Sequence, residues 1–352
     1  MKKNFELSCP IENSNDVITL SHGSGGSQMQ DLLFNNIFPF LEAKNSEQSN
    51  DAAVININNN KFAFTTDSFV ISPLFFSGGD IGNLSVYGTV NDLAMVGAVP
   101  LFLSLALIIE EGFSKNRLTK IMNSINQAAS IANVEIITGD TKVVNKGKGD
   151  SLYINTSGLG LVHIDYQIHP KNILKDDVII LSGDIGRHAI SILAKREGLD
   201  FEIDLESDLQ PLTKYVQALI NAKIKITCMR DITRGGLAAA LNEIASTASA
   251  EIDIDENNIL VNNTVFNLCE ILGLDIFHLA CEGRFLVVVP ANYAKDVLDV
   301  LNNFSSNKDE CNPQVIGYVK SIGISNSVVL KTKIGTKRII DMPTGELLPR
   351  IC

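Results

Sequence analysis

Apolar and polar residues follow one another along this chain in runs of strand and helix length, separated by Gly, Asn, Pro and charged residues. Val17 to Leu20 reads as a short strand entering Ser21-His22-Gly23-Ser24-Gly25-Gly26. A helix follows, with Ser27 and Gln30 at capping-box spacing and Met29, Leu32, Leu33, Ile37 and Phe40 along one apolar face, shortened by Pro39. Ala53 to Ile57 and Phe62 to Thr66 flank the turn-forming Asn58-Asn59-Asn60, which predicts a hairpin. Next come a helix over Leu84 to Met95 and a buried strand over Leu101 to Ile109. A helix capped by Ser114 keeps Leu118, Ile121, Met122, Ile125, Ala128 and Ala129 in helical register. Strands at Glu135 to Thr138 and Leu152 to Val162 close this half.

The polar, Pro170-containing stretch from Asp165 to Asp177 interrupts the pattern and is the expected domain boundary. It divides the chain into 1–165 and 166–335, with 336–352 as a tail. The second half carries strands at Val178 to Leu181, Phe285 to Val289 and Gln314 to Val319. Its helices are expected from about Ala189, at Thr213 to Asn221, at Leu237 to Ser246 and at Ala291 to Phe304. Helices and strands mix without strict βαβ alternation, so the expected class is α+β in two domains. The last dozen residues, with Pro343, Gly345 and Pro349, show no period and are expected to be mobile.

Composition narrows the function classes. A chain of 352 residues is long enough for two cores, and 45% hydrophobic with 20% charged residues is a globular composition. A net charge of −11 argues against nucleic-acid binding, where surplus Lys and Arg hold the phosphates. It is compatible with a nucleotide bridged to carboxylates by a divalent cation. No apolar stretch follows Met1-Lys2-Lys3-Asn4-Phe5-Glu6, so no secretory signal is expected. The run from Val99 to Ile109 is too short to cross a bilayer. The cysteines at 9, 228, 269, 281, 311 and 352 contain no Cys-x-x-Cys pair, which fits neither a zinc site nor a disulfide framework and suits a reducing cytoplasm. One of them, Cys352, is the last residue. From Lys331 onward, Lys331, Lys333, Lys337, Arg338 and Arg350 against Asp341 and Glu346 give the end of the chain +3, leaving −14 on the rest.

Four aspartates, Asp51, Asp67, Asp92 and Asp140, stand beside small or strand-ending residues in the first half. Taken singly, each reads as a cap of a helix or turn. Asp92 is the exception in kind, because Val90, Leu93, Ala94 and Met95 surround it, and a buried carboxylate needs a partner or a metal. Hard oxygen ligands of this type suit Mg2+. The loop Gly23-Ser24-Gly25-Gly26 ahead of a helix presents backbone N–H groups in the manner of phosphate-binding turns, or is a plain turn. No G-x-x-x-x-G-K-[S/T] run exists, which excludes a P-loop.

Together these pieces resemble a family. Ser21-His22-Gly23-Ser24-Gly25-Gly26, Asp51-Ala52-Ala53, Thr65-Thr66-Asp67-Ser68, Asn91-Asp92-Leu93-Ala94-Met95-Val96-Gly97-Ala98-Val99-Pro100 and Gly139-Asp140-Thr141 are similar to motifs of the PurM-type ATP-binding superfamily. Met229-Arg230-Asp231-Ile232-Thr233-Arg234-Gly235-Gly236 and the final Pro349-Arg350-Ile351-Cys352 resemble its HypE branch, the hydrogenase maturation dehydratases. Two departures stand out. Asn50-Asp51 replaces a pair of aspartates, and Cys9, in Ser8-Cys9-Pro10, lacks the setting of the reactive residue of selenophosphate synthetases, so it is taken as structural.

The resemblance implies a PurM-like homodimer in which the N-terminal ATP-binding domain builds the dimer sheet and a C-terminal α/β domain carries a movable tail. It implies ATP and Mg2+, with Asp51, Asp67, Asp92 and Asp140 as metal ligands. Gly23, Ser24, Gly25, Gly26, Asn91, Thr141, Asp231, Arg234, Gly235 and Gly236 would hold the nucleotide. Cys352 would receive a carbamoyl group from the carbamoyltransferase HypF, and ATP-dependent dehydration would turn it into a thiocyanate. The cyanide would pass to an iron-carrying HypC–HypD complex for nickel–iron hydrogenase. Glu282 and Lys142 are the implied proton acceptors, Glu282 the better of the two because a lysine is protonated unless desolvated. Arg350 is expected to offset the like charge that the terminal carboxylate places beside the thiol. Two rivals remain open: a different ATP-dependent kinase or synthetase of the same superfamily, and a non-catalytic nucleotide-binding scaffold.

Overall fold

A computed structural model describes residues 17–41, 50–198, 205–304, 311–345, 348 and 350–352. Cys9 and Pro349 lie outside the described residues.

The first half is a five-stranded sheet in the order β1-β2-β7-β5-β6, built from β1 (Ala53–Ile57), β2 (Asn60–Phe69), β5 (Ala98–Glu110), β6 (Glu135–Val144) and β7 (Leu152–Val162). The β1–β2 hairpin closes on Asn58 and Asn59, both left-handed at φ 48° and 68°, a turn that asparagine adopts readily. The small ribbon β3 (Phe75–Phe76) and β4 (Gly79–Asp80) leads into α2 (Ile81–Met95), and α3 (Lys115–Ala132) connects β5 to β6. Ahead of the sheet the chain is irregular. Val17 to Leu20, expected as a strand, contains no strand, because Leu20–Gly23 winds into a 3-10 turn whose Thr19 engages His22. Gly26, not Ser27, caps the short α1 (Ser27–Asp31), which runs on through a π turn to Pro39.

Helix α2 positions the site. The Asp80 carboxylate caps it by accepting from the N–H groups of Gly82 and Asn83. Every one of its residues except Asn83 and Asp92 is buried, because it packs against β2, β5 and β7 on one side and against the second half on the other. A helix apolar all round is a core helix. Asp92 is therefore carried into the interior on a rigid element.

The second half is a seven-stranded sheet in the order β14-β13-β10-β12-β8-β11-β9. Its strands are β8 (Val178–Leu181), β9 (Cys228–Asp231), β10 (Ala250–Asp255), β11 (Phe285–Val289), β12 (Gln314–Ile322), β13 (Ser327–Lys331) and β14 (Lys337–Ile339). Its helices are α4 (Arg187–Arg196), α5 (Thr213–Asn221), α6 (Gly236–Ala248), α7 (Asn263–Leu272) and α8 (Ala294–Asn302). Most pairings are antiparallel, with β10–β13 parallel, as β5–β6 is in the first sheet, so the α+β expectation holds. No helix among the described residues is long and apolar enough to cross a membrane.

The described part of the tail is docked, not free as its lack of period suggests. Carbonyls of Pro343 and Gly345 accept from Ser27 N and Ser24 Oγ. Ile351 forms an antiparallel bridge with Ile71, flanked by Ser72 N to Arg350 O at 3.1 Å and Val70 N to Cys352 O at 3.3 Å.

Candidate active site

Four elements bring acidic side chains to one cleft between the two halves. Asp51 precedes β1, Asp67 lies on β2, Asp92 in the last turn of α2, and Asp231 ends β9. Carboxylate oxygens of Asp51, Asp92 and Asp231 all lie within 4.8 Å of one another, and the Asp67 charge acts on all three. Thr65 Oγ1 sits 2.8 Å from Asp92 Oδ2 and 3.1 Å from the Asp51 carbonyl, tying β2 to α2.

The charges do not balance. Arg230 Nε stands 3.3 Å from Asp51 Oδ1 while its other arm pairs with Glu243. Burial pushes the Asp51 carboxyl up to about 6, against the opposing pull of Arg230. Burial and the neighbouring carboxylates push Asp92 and Asp231 well above the usual carboxylate range. Asp51 Oδ2 is buried without a hydrogen-bond partner. An orphaned acceptor beside three converging carboxylates is the arrangement that a hard divalent cation satisfies, so the donor set fits Mg2+. Asp231, expected among the nucleotide contacts, belongs to this cluster.

Glu282 and Cys352 both feel the charges of Asp67 and Asp231. Glu282 is buried, its Oε1 lacks a partner, and burial together with Asp231, Asp208 and Asp67 holds its carboxyl well above the usual range. The tail bridge places Cys352 in a cleft of about 240 Å³ that is also lined by Gly23, Ser24, Ser68, Arg234 and Gly235. Burial raises the Cys352 thiol, opposed by Arg234, and Cys352 is in turn the largest influence holding Arg234 charged. The cation facing the thiol is thus Arg234. Arg350, expected in that role, instead pairs with Asp150 at 3.3 Å.

The glycine loop meets the second half backbone to backbone. A Cβ on Gly25 would lie 2.6 Å from Arg234 Cβ, and one on Gly26 would lie 2.3 Å from the Pro343 carbonyl. Gly25 and Gly235 are both left-handed, at φ 79° in each case. Gly23 and Ser24 line the cleft, whereas Gly25, Gly26 and Gly236 serve close packing. Asn91 is buried, with Oδ1 accepting from Leu212 N at 2.7 Å and Nδ2 donating to the carbonyls of Gln210 and Glu282. Its amide, expected at the nucleotide, joins the two halves.

Asp140, Thr141 and Lys142 are not brought to this cleft. They lie exposed on β6, the edge strand, where Lys142 Nζ pairs with Asp140 Oδ2 at 2.9 Å. Asp67 shares a row with Thr156, Leu105 and Gly139 across β2, β7, β5 and β6. Asp140 is one residue out of that row, on the opposite face and three strand spacings away, about 14 Å. Within one chain Asp140 cannot ligate with Asp51, Asp92 and Asp231. The sequence reading also missed Arg230 and Glu243 as counter-ions. Arg230 sits inside a quoted motif, but Glu243 is an ordinary helix residue by pattern.

Comparison with known proteins places these features in context. Residues 49–162 match the AIR synthase related protein, N-terminal domain, and residues 175–325 match its C-terminal domain. The chain is 40% identical to a carbamoyl dehydratase HypE of Azotobacter vinelandii over 96% of this chain and 98% of that protein. It superposes on HypE in a HypE–HypF complex with TM-score 0.81 at 39% identity, over 90% of this chain and all of that one. HypE in complex with ATP aligns with TM-score 0.79 at 38% identity, over 96% and 100% of the two chains.

Proposed function

We infer, from the premise that the chain belongs to the HypE family of hydrogenase maturation proteins, that it is an ATP-dependent carbamoyl dehydratase acting on its own Cys352. The observation that carries this reading is the seating of the Cys352 thiol, by a β-bridge, in the cleft that holds Arg234 and within electrostatic reach of Glu282.

The reaction converts S–C(=O)–NH2 to S–C≡N, with ATP going to ADP and phosphate. A carboxamide oxygen leaves poorly and a phosphate leaves well, which is why the nucleotide is consumed. When bound at Asp51, Asp92 and Asp231, Mg2+ supplies charge neutralisation for the phosphates. Arg234 directs positive charge at the reacting end of the tail. Burial and the neighbouring Asp231, Asp208 and Asp67 hold the Glu282 carboxyl above its usual range, and its partnerless Oε1 is the acceptor for a proton of the amide.

The functional unit in this reading is a homodimer. The face of the first sheet away from α2 carries Phe64, Phe102 and Ile108, 47%, 36% and 43% exposed, next to a row in which Ser68, Asn155 and Asp140 are polar and Ala106 is small. An apolar face of this kind marks a protein contact. Two copies packed face to face about a two-fold axis give Asp140 and Lys142 of one chain, with Thr141 between them, access to the cleft of the other through the outer face of β6, the cleft opening beside Ser68 and Tyr153 on the same face. HypF as carbamoyl donor and HypC–HypD as cyanide acceptor complete the scheme.

Intact mass spectrometry tests it. Incubation with the carbamoyl donor should add one carbamoyl group, and ATP with Mg2+ should then remove one water, both mapping to Cys352. An unchanged Cys352 sinks the reading. ATP turnover on a diffusible substrate by Cys352→Ala would favour a superfamily kinase or synthetase instead.

A further inference from the structure

The tail must present Cys352 in one register whatever its sulfur carries, so the groups that hold its backbone matter as much as those facing the thiol. In the Ile71–Ile351 bridge the ladder bonds use Arg350 O and Cys352 O. The Ile351 carbonyl points the other way, in a buried place where an unpaired acceptor is costly. His188 Nε2 stands 2.7 Å from it. A carbonyl only accepts, so Nε2 carries the proton. Nδ1, 2.8 Å from Ser207 Oγ, is then the acceptor of the Ser207 hydroxyl, and Ser207 Oγ itself accepts from Leu209 N. The His188 main-chain N–H is anchored on Asp208 Oδ1, and the ring packs edge-on against Phe76 with centroids 5.4 Å apart. Tautomer and ring orientation are both fixed.

Arg196, two turns further along α4, closes the other end of the bridge. Its guanidinium donates to Ser72 O from Nε at 3.1 Å and from NH2 at 2.8 Å, and to Arg350 O from NH2 at 3.1 Å. One side chain thus holds carbonyls of both bridged segments.

We propose that His188 and Arg196 on α4 are positioning residues that clamp the tail through its main-chain carbonyls and so hold Cys352 in the cleft. The clamp reads backbone and leaves the residue 352 side chain untouched, so it holds thiol, carbamoyl and cyano forms in the same register. It rests on the reading of Cys352 as the tethered substrate, but its test does not depend on catalysis.

The test is iodoacetamide alkylation of the full-length protein, without nucleotide or partners, with each cysteine followed by peptide mass mapping. The docked thiol is half-buried and burial raises its pKa, so it reacts slowly until the tail lifts. Loss of one clamp bond should raise the Cys352 rate by about fivefold in His188→Leu, with a similar rise in Arg196→Met. His188→Gln, which keeps a donor near the Nε2 position, should stay close to the unaltered protein. Cys228 and Cys281, both buried in the second half, serve as internal controls. An unchanged Cys352 rate in folded His188→Leu and Arg196→Met overturns the clamp, as does a rise shared equally with Cys228 and Cys281. A protected Cys352 that never accepts a carbamoyl group would leave the clamp standing and defeat only the dehydratase reading.

Discussion

Asp92 and Asp140 both stand in motifs of one family, and the fold carries further the difference that the apolar neighbours of Asp92 already mark. Asp92 rides on a helix buried on every side, among carboxylates that raise one another, with a threonine hydroxyl as its nearest donor. Asp140 is exposed at a sheet edge, and its lysine neighbour holds its carboxyl below the usual range. The first is in an environment that opposes its charge and calls for a ligand. The second is already satisfied in a single chain, and any role in the site has to come from a second copy.

The largest effect should separate the two within one polypeptide. Asp92→Asn or Asp231→Asn should lower ATP-dependent dehydration by about 10²–10³-fold, the scale for losing one charge-stabilising group in a reaction site. Single-turnover loss of water from carbamoylated Cys352 measures it, and a loss under tenfold would deny the cluster its role. A subunit-mixing experiment tests the other half of the contrast. Lys142→Ala and Glu282→Gln chains, each inactive alone, should recover about a quarter of the activity when co-refolded, because statistical pairing makes half of the dimers mixed, each with one intact site of two. No recovery would place Lys142 outside the shared site.

Stability gives a smaller readout with the opposite sign. Relief of crowded buried charge in Asp92→Asn should raise the melting temperature of metal-free protein at neutral pH by about 2–4 °C for about 1 kcal/mol gained. Asp140→Asn should leave it within about 1 °C, since exposed pairs contribute little. Calorimetry in chelator decides between them. The smallest effect concerns pH. Burial holds the His188 pKa below its ordinary 6.5, although Asp208 and the Ile351 carbonyl pull it upward. The unfolded chain therefore binds this proton first, so stability is full above 6.5 and declines as pH falls below it. The melting temperature should fall more steeply between about pH 7 and 5.5 in the unaltered protein than in His188→Gln.

Much of the fold was legible in period and punctuation. The Leu152–Val162 and Phe285–Val289 strands and the Thr213–Asn221 helix fall on their predicted residues, since alternation and continuous apolar runs mark a buried face directly. Strands β9, β10, β13 and β14 were not anticipated: they are short, and Asp253, Asp255, Lys331 and Lys337 break their apolar character. In the site, Asp51, Asp67, Asp92, Asp231, Arg234, Glu282 and Cys352 were readable through motif resemblance. What sequence could not convey is which face of a sheet an aspartate occupies relative to a strand three places away, and this hid that Asp140 stands apart from the other three within one chain. His188 and Arg196 carried no signal, because their partners are carbonyl groups, which every residue possesses.

The bridge at Ile71 makes the end of the chain a ruler with parity. Ile351 is anchored in the first-half core, and the next side chain along faces Arg234. Strand side chains alternate, so one residue inserted between Ile351 and Cys352 would turn the sulfur to the wrong side, and two would restore the side but overshoot the cleft. What is counted is the interval from Ile351 to the sulfur, and the permitted count is one.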